Sequence, residues 1–191
     1  MTASLLLAGA LHDTGRHAEI RSPWDGTIVG RASLASRADV VAAIDAAVAA
    51  APACAALPSH RRAAVLRQLR EGLLARRAPL AELLAREAGK PIALATIELD
   101  RAAFVLEVAA EEATRIGGEV TPLDRLAIGE GRWALGRRFP LAPIAAITPF
   151  NFPVLLAVHK LAPAIACGAT MVLKPPPQDP LAVLAVAELL A

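Results

Sequence analysis

The last fifty residues constrain the fold most, because two short apolar runs alternate there with two proline-initiated helical patterns. Ile144-Ala-Ala-Ile147 reads as a short buried strand, and Thr148-Pro149-Phe150-Asn151-Phe152 as the loop after it. Pro153 opens a helix carrying Val154, Leu155, Val158, Leu161, Ala162 and Ile165, closed by Gly168. Thr170-Met-Val-Leu173 is a second strand and Lys174-Pro-Pro-Pro-Gln-Asp179 a second loop. Pro180 starts a final helix, with Asp179 as its N-cap. This β-α-β-α order is the unit of a parallel sheet with a right-handed crossover. In an open parallel sheet, ligands bind at the carboxyl ends of the strands, where loops and helix N-termini converge. Asn151 and Lys174 each follow such an end, so the pattern predicts that they share one edge of the sheet. No G-x-G-x-x-G fingerprint accompanies them.

The same region settles what its uncharged stretch is. Leu141 to Val158 is long enough to span a bilayer. It holds Pro143, Pro149 and Pro153, and each interior proline costs a helix roughly 3 kcal/mol. A transmembrane helix is therefore excluded there.

Upstream, residues 5–11 and 18–33 read as short extended segments, the second broken by the turn Ser22-Pro23-Trp24-Asp25-Gly26. Ser36 and Asp39 have capping-box spacing ahead of a helix with Val40, Val41, Ile44 and Val48 on one face. Pro58-Ser59 opens a second helix striped by Val65, Leu66, Leu69 and Leu73. Pro79 marks the first helical position of a third, with Leu80, Leu83 and Leu84 inside and Gly89 at its end. A fourth runs from Ile92 to Ile116 and stops at Gly117-Gly118. Residues 119–141 lose helical periodicity and read as a β-excursion ending in Arg137-Arg138-Phe139-Pro140. The expectation is an α/β chain in three parts: 1–118, strands and helices; 119–141, the β-excursion; 142–191, the start of a Rossmann-like sheet.

Composition narrows the function. Hydrophobic residues make up 55% of the chain but aromatics only 3%, so some apolar surface is expected to meet a partner. The net charge of +2 is spread without a basic, aromatic-interleaved run, which excludes a nucleic-acid surface. Cys54 and Cys167 are too few for a disulfide framework and fit a reducing, cytoplasmic setting as small buried hydrophobes. The start of the chain lacks the basic n-region of a signal peptide. His12, His17 and His60 have no ligand spacing, so no metal is expected, and His159 falls mid-helix.

Three stretches read together resemble the aldehyde dehydrogenase superfamily: Phe139-Pro-Leu-Ala-Pro-Ile-Ala-Ala-Ile-Thr-Pro-Phe-Asn-Phe-Pro153, His159-Lys-Leu-Ala-Pro-Ala-Ile-Ala-Cys-Gly168, and Met171-Val-Leu-Lys-Pro175. Ser22-Pro-Trp-Asp-Gly26, Gly89-Lys-Pro91 with Glu98 downstream, and Gly117-Gly118 follow the same family order. The resemblance covers nearly the whole chain. It implies the N-terminal part of a subunit with a cofactor domain, a catalytic domain and an oligomerisation hairpin, the last at 119–141. The implied reaction is oxidation of a small aldehyde to a carboxylic acid through a cysteine thioester, with hydride passing to NAD or NADP. It also implies a homo-oligomer, with no membrane partner.

Residue by residue, the resemblance puts Asn151 at the asparagine that donates to the oxyanion. A neutral amide suits that task because it adds no titrating group. Taken alone, Asn151 would be a turn residue before a Pro-initiated helix. Lys174 falls on the lysine that serves the adenosine ribose, and Ile147, Thr148, Pro149 and Phe150 on the stretch lining the cofactor cleft. Glu98 reads as a support for helix packing. Neither cysteine sits in a nucleophile motif, and neither the nucleophile nor the base glutamate is matched within these residues, so the chain alone is expected to be inactive. Pro177 stands where many NAD-preferring members carry a glutamate, which leaves NADP open. The alternative is a non-catalytic α/β nucleotide-binding or assembly module that keeps the scaffold.

Overall fold

The computed structural model describes residues 2–191. Five short strands come first: β1 (Thr2–Ala3), β2 (Leu5–Leu7), β3 (Ala10–His12), β4 (His17–Arg21) and β5 (Ile28–Ser33). β2 and β3 form a hairpin, while β5 runs between a parallel β1 and an antiparallel β4. The expected turn at Ser22–Gly26 is present, closed by the Gly26 N–H donating to the Ser22 carbonyl at 2.9 Å.

Four helices follow: α1 (Arg37–Ala56), α2 (Ser59–Ala75), α3 (Arg77–Ala88) and α4 (Ile92–Ala113). The capping box forms as read, with Ser36 Oγ accepting from the Asp39 N–H and the Asp39 carboxylate accepting from the Ser36 N–H. Two boundaries differ from expectation. Pro79 is the third residue of α3 rather than the first, a position whose N–H is still one of the orphan donors and is not missed. α4 stops at Ala113 because the Thr114 hydroxyl and N–H both turn back to the Glu111 carbonyl. Gly89 closes α3 at φ +65°, and a Cβ there would also lie 2.7 Å from Pro23 Cγ.

The hairpin β6 (Glu119–Pro122) and β7 (Trp133–Gly136) is antiparallel, with one 3₁₀ turn at Ala127–Gly129 inside its loop. Beyond it lie β8 (Ile144–Ile147), α5 (Pro153–Cys167), β9 (Met171–Lys174) and α6 (Leu181–Ala187), the alternation read from the sequence. β8 and β9 pair in parallel. Leu141–Val158 is thus strand, loop and helix start rather than a membrane span.

The main core is helical. Leu66, Leu69, Leu73, Leu84, Leu99 and Leu106 are almost wholly buried and meet Val154 and Val158 of α5. Each fully buried side chain of this size contributes roughly 1.5–3 kcal/mol. A second cluster joins Leu181 and Leu184 of α6 to Ala3, Ile20, Val29 and Ala32 of the three-stranded sheet. α6 therefore joins the three-stranded sheet to the helical core.

Two regions stay open. β8 was read as buried, yet only Ala146 is covered, while Ala145 and Ile147 face out. Four-residue strands with one neighbour each leave both outer edges of the pair unpaired. The α1 stripe Val40, Val41, Ile44 and Val48 is also exposed, and only Ala47 of that helix is buried. By length and composition α1 alone among the described residues could cross a membrane. It carries Asp45 and Pro52, rests against β2 and β9, and accepts the Thr170 hydroxyl on the Ala47 carbonyl at 2.8 Å.

With Leu135, Phe139 and Leu141 exposed as well, the 19.8 kDa chain is expected to self-associate at micromolar concentration. Size-exclusion chromatography with light scattering should show species above the monomer mass. A monodisperse monomer with protected amides in β8 and β9 would show that these surfaces need no cover.

Candidate active site at the carboxyl edge of the parallel pair

The β8–β9 register aligns Ile144 with Met171 and Ile147 with Lys174. The Thr148 N–H donates to the Lys174 carbonyl at 3.1 Å, extending the ladder by one rung. The two loops therefore leave the same edge, as the alternation predicted for Asn151 and Lys174. Ile147 is 71% and Phe150 58% exposed, and Pro149, Asn151, Lys174 and Pro177 are exposed too. Thr148 differs: its side chain is buried, so it can line a cleft only through its backbone. Its hydroxyl has no hydrogen-bond partner among the described residues. Among the described residues, the Lys174 ammonium donates only to the Pro175 carbonyl, at 3.4 Å.

The helix N-termini at this edge are occupied from within. Glu98, fully buried on α4, accepts through one oxygen from the N–H groups of Val154 (2.9 Å) and Leu155 (3.1 Å) at the start of α5. Its other oxygen pairs with the Lys90 ammonium, which also donates to the Asn151 carbonyl at 3.2 Å. Glu87 on α3 does the same for α6, accepting from Leu181 and Ala182 at 2.8 Å each. Sequence reading assigned that cap to Asp179, and the structure corrects it: Asp179 makes no side-chain cap and its Oδ1 lacks a partner among the described residues. Glu98 is likewise more than a packing support. No local signal marks Glu87, whose partners lie more than ninety residues away. Both carboxylates take the place an anion would take at a helix N-terminus.

The cysteines lie elsewhere. Cys167 ends α5, a helix running back from this edge, and so sits roughly 20 Å away at 1.5 Å per residue. The Cys54 carbonyl lies beside Gly168, where a Cβ would come within 2.9 Å of it, at the same far end. Both thiols are half-buried rather than enclosed. Cys167 lines an open groove of about 350 Å³ with Ile144, Ala145, Lys160 and Met171. His159 is exposed. Among the described residues, no three His, Cys, Asp or Glu side chains are grouped to hold a metal ion.

Comparison with known proteins completes the picture. The family described as "Aldehyde dehydrogenase family" matches residues 11–191. The chain belongs to the aldehyde dehydrogenase family. Aspartate-semialdehyde dehydrogenase 1 of Pseudomonas canavaninivorans is 40% identical over 168 residues, covering 88% of this chain and 36% of its own length. Aldehyde dehydrogenase 21 of Physcomitrella patens, solved with the reaction product succinate, superposes with a TM-score of 0.93 at 38% identity, over 99% of this chain and 40% of that one. An NADP-dependent glyceraldehyde-3-phosphate dehydrogenase of Bacillus halodurans C-125, solved with NADP, gives 0.94 at 34% identity, over 100% and 40%. The chain thus spans about two-fifths of the length of these relatives.

Aldehyde dehydrogenases use NAD or NADP, and the exposed residues fit such a group. Lys174 offers an ammonium with no carboxylate on it, Ile147 and Phe150 offer apolar surface, and Pro177 brings no negative charge.

The buried acids of this aldehyde dehydrogenase chain should make its stability depend on pH. Burial pushes Glu87 from 4.5 up to about 7, against the two N–H donors, and the nearby Asp179 and Glu98 add repulsion. Burial likewise raises Asp179 from 3.8 to about 7, opposed by Lys90 and reinforced by Glu98. A raised acid pKa means the folded chain holds a proton that the unfolded chain releases. The stabilisation is full below about pH 4 and is lost as pH rises to about 7. Asp13, Asp25, Asp39 and Asp100 are held low by hydrogen bonds and act in the opposite direction, but only below pH 4. Urea unfolding should therefore give a chain on the order of 2–4 kcal/mol more stable at pH 5 than at pH 8. Asp179→Asn should narrow that gap by raising stability at pH 8. Equal stability at both pH values would contradict the assignment.

Proposed function

We propose that this chain supplies the oxyanion donor and part of the dinucleotide cleft of an NAD(P)+-dependent enzyme that oxidises a small aldehyde to a carboxylic acid. The observation carrying the proposal is the Ile147–Lys174 register pair, beyond which the loops with the exposed residues Asn151 and Lys174 leave one sheet edge. The Asn151 amide donates to the aldehyde oxygen as negative charge gathers there, and being neutral it neither titrates nor binds the ground state as strongly. Lys174 donates to ribose hydroxyls, and Ile147, Pro149 and Phe150, with the Thr148 backbone, wall the cleft. The bound dinucleotide supplies the hydride acceptor.

The hairpin at 119–141, with Leu135 84% exposed, is the proposed subunit contact of a cytoplasmic homo-oligomer. Taken by themselves, these residues favour the binding-module reading, because both cysteines sit at the far end from Asn151. The nucleophile and base of the reaction are then supplied by residues other than these.

In the enzyme carrying this chain, Asn151→Ala should lower kcat by roughly 10²–10³ with a smaller change in KM. An effect confined to KM would remove Asn151 from the oxyanion role. Pro177→Glu should shift the preference from NADP+ toward NAD+, since a carboxylate in that loop repels a 2′-phosphate. Unchanged ratios of kcat/KM for the two cofactors would show that Pro177 does not face the ribose.

A further inference from the structure

The backbone around Asn151 is held from the helical layer by residues the reaction itself does not need. Gly89 turns the chain between α3 and α4, which delivers Lys90 to the start of α4 with its side chain 13% exposed. Its ammonium meets three groups at once: the Glu98 carboxylate, the Asn151 carbonyl at 3.2 Å, and the Phe152 ring, whose centroid is 4.7 Å away. Glu98 in turn holds Val154 and Leu155 by their N–H groups. Residues 151, 152, 154 and 155 are thus fixed from α4 and the turn before it. The Asn151 side-chain amide takes part in none of these contacts, and the residue is exposed.

An oxyanion donor works only if it is aimed before charge develops, within about 0.5 Å of the productive position. A loop of a few residues between a strand and a helix does not supply that rigidity alone. The Lys90–Glu98 pair does. Its carboxylate neutralises both the ammonium and the positive end of α5, so neither charge is left buried without a partner. We infer that Lys90 and Glu98 are positioning residues that set the backbone of Asn151, and through it the aim of its amide. The inference rests on the oxyanion reading of Asn151 given above.

The test is a double-mutant cycle in the enzyme carrying this chain, using Lys90→Met, Lys90→Arg, Asn151→Ala and the pair Lys90→Met with Asn151→Ala. Lys90→Met should lower kcat about 10–100-fold while changing KM much less, because a shift of about 1 Å can cost that much. Lys90→Arg, which keeps the charge, should recover part of the loss. In the Asn151→Ala background, Lys90→Met should cost little more, since there is no amide left to aim. Full additivity, or an unaltered kcat for Lys90→Met, would overturn the positioning role. If instead Asn151→Ala itself leaves kcat unchanged, the oxyanion reading fails, whatever Lys90 does. In the 191-residue chain, Glu98→Gln should speed hydrogen exchange at Val154 and Leu155 at least tenfold without altering Leu99 or Leu106. Unchanged exchange at the first two would show that the carboxylate does not hold the start of α5.

Discussion

Two buried carboxylates, each accepting a pair of backbone N–H groups, join the helical layer to the parallel pair. The first N–H groups of a helix have no partner inside it, and burying them unsatisfied costs about 1–3 kcal/mol each. α5 and α6 both begin in the interior, at Pro153 and Leu181, with side chains that cannot cap them. Glu98 and Glu87 meet that need from α4 and α3. β8 and β9 are only four residues long, so their ladder contributes little rigidity of its own. The helices that start just beyond them are what hold the edge in place, and those helices are held by glutamates.

Most of what is local was legible in the sequence. Ser36 and Asp39 signalled their capping box by spacing. Gly168 signalled a helix end that the structure gives at φ +83°, and the proline-initiated helices alternated with apolar runs as a βαβα unit should. The shared edge of Asn151 and Lys174 followed from that alternation and is seen in the register. What failed was non-local. Asp179 stands one residue before Pro180, so sequence proximity made it the cap, yet its carboxyl is buried without a partner on Oδ1 and Glu87 takes the N–H groups. The periodicity of Val40, Val41, Ile44 and Val48 located a face correctly but could not say what covers it, and in this chain nothing described does. The apolar run at Ile144–Ile147 misled in the same way: hydrophobicity reports a preference for burial, whereas burial itself depends on neighbours.

The occupied helix N-termini also bear on how a dinucleotide would be held. In the common doubly wound arrangement, a glycine-rich turn leaves the first helix N-terminus open and the pyrophosphate sits on it. Here the absence of that glycine pattern and the presence of Glu98 belong together. With a carboxylate already on the Val154 and Leu155 N–H groups, a second anion at that point would meet repulsion rather than free donors. α6 is closed to phosphate in the same way, although Glu87, raised to about 7, is neutral part of the time. On the proposed reading, recognition by this part of the fold therefore falls to exposed loop side chains. On that reading Lys174 would act on hydroxyls, Ile147 and Phe150 by contact, and the residue at 177 by the charge it does or does not bring. Discrimination between cofactors that differ by one phosphate then depends on loop composition rather than on a helix end. Loop residues can change there without disturbing the carboxylates that hold the helices.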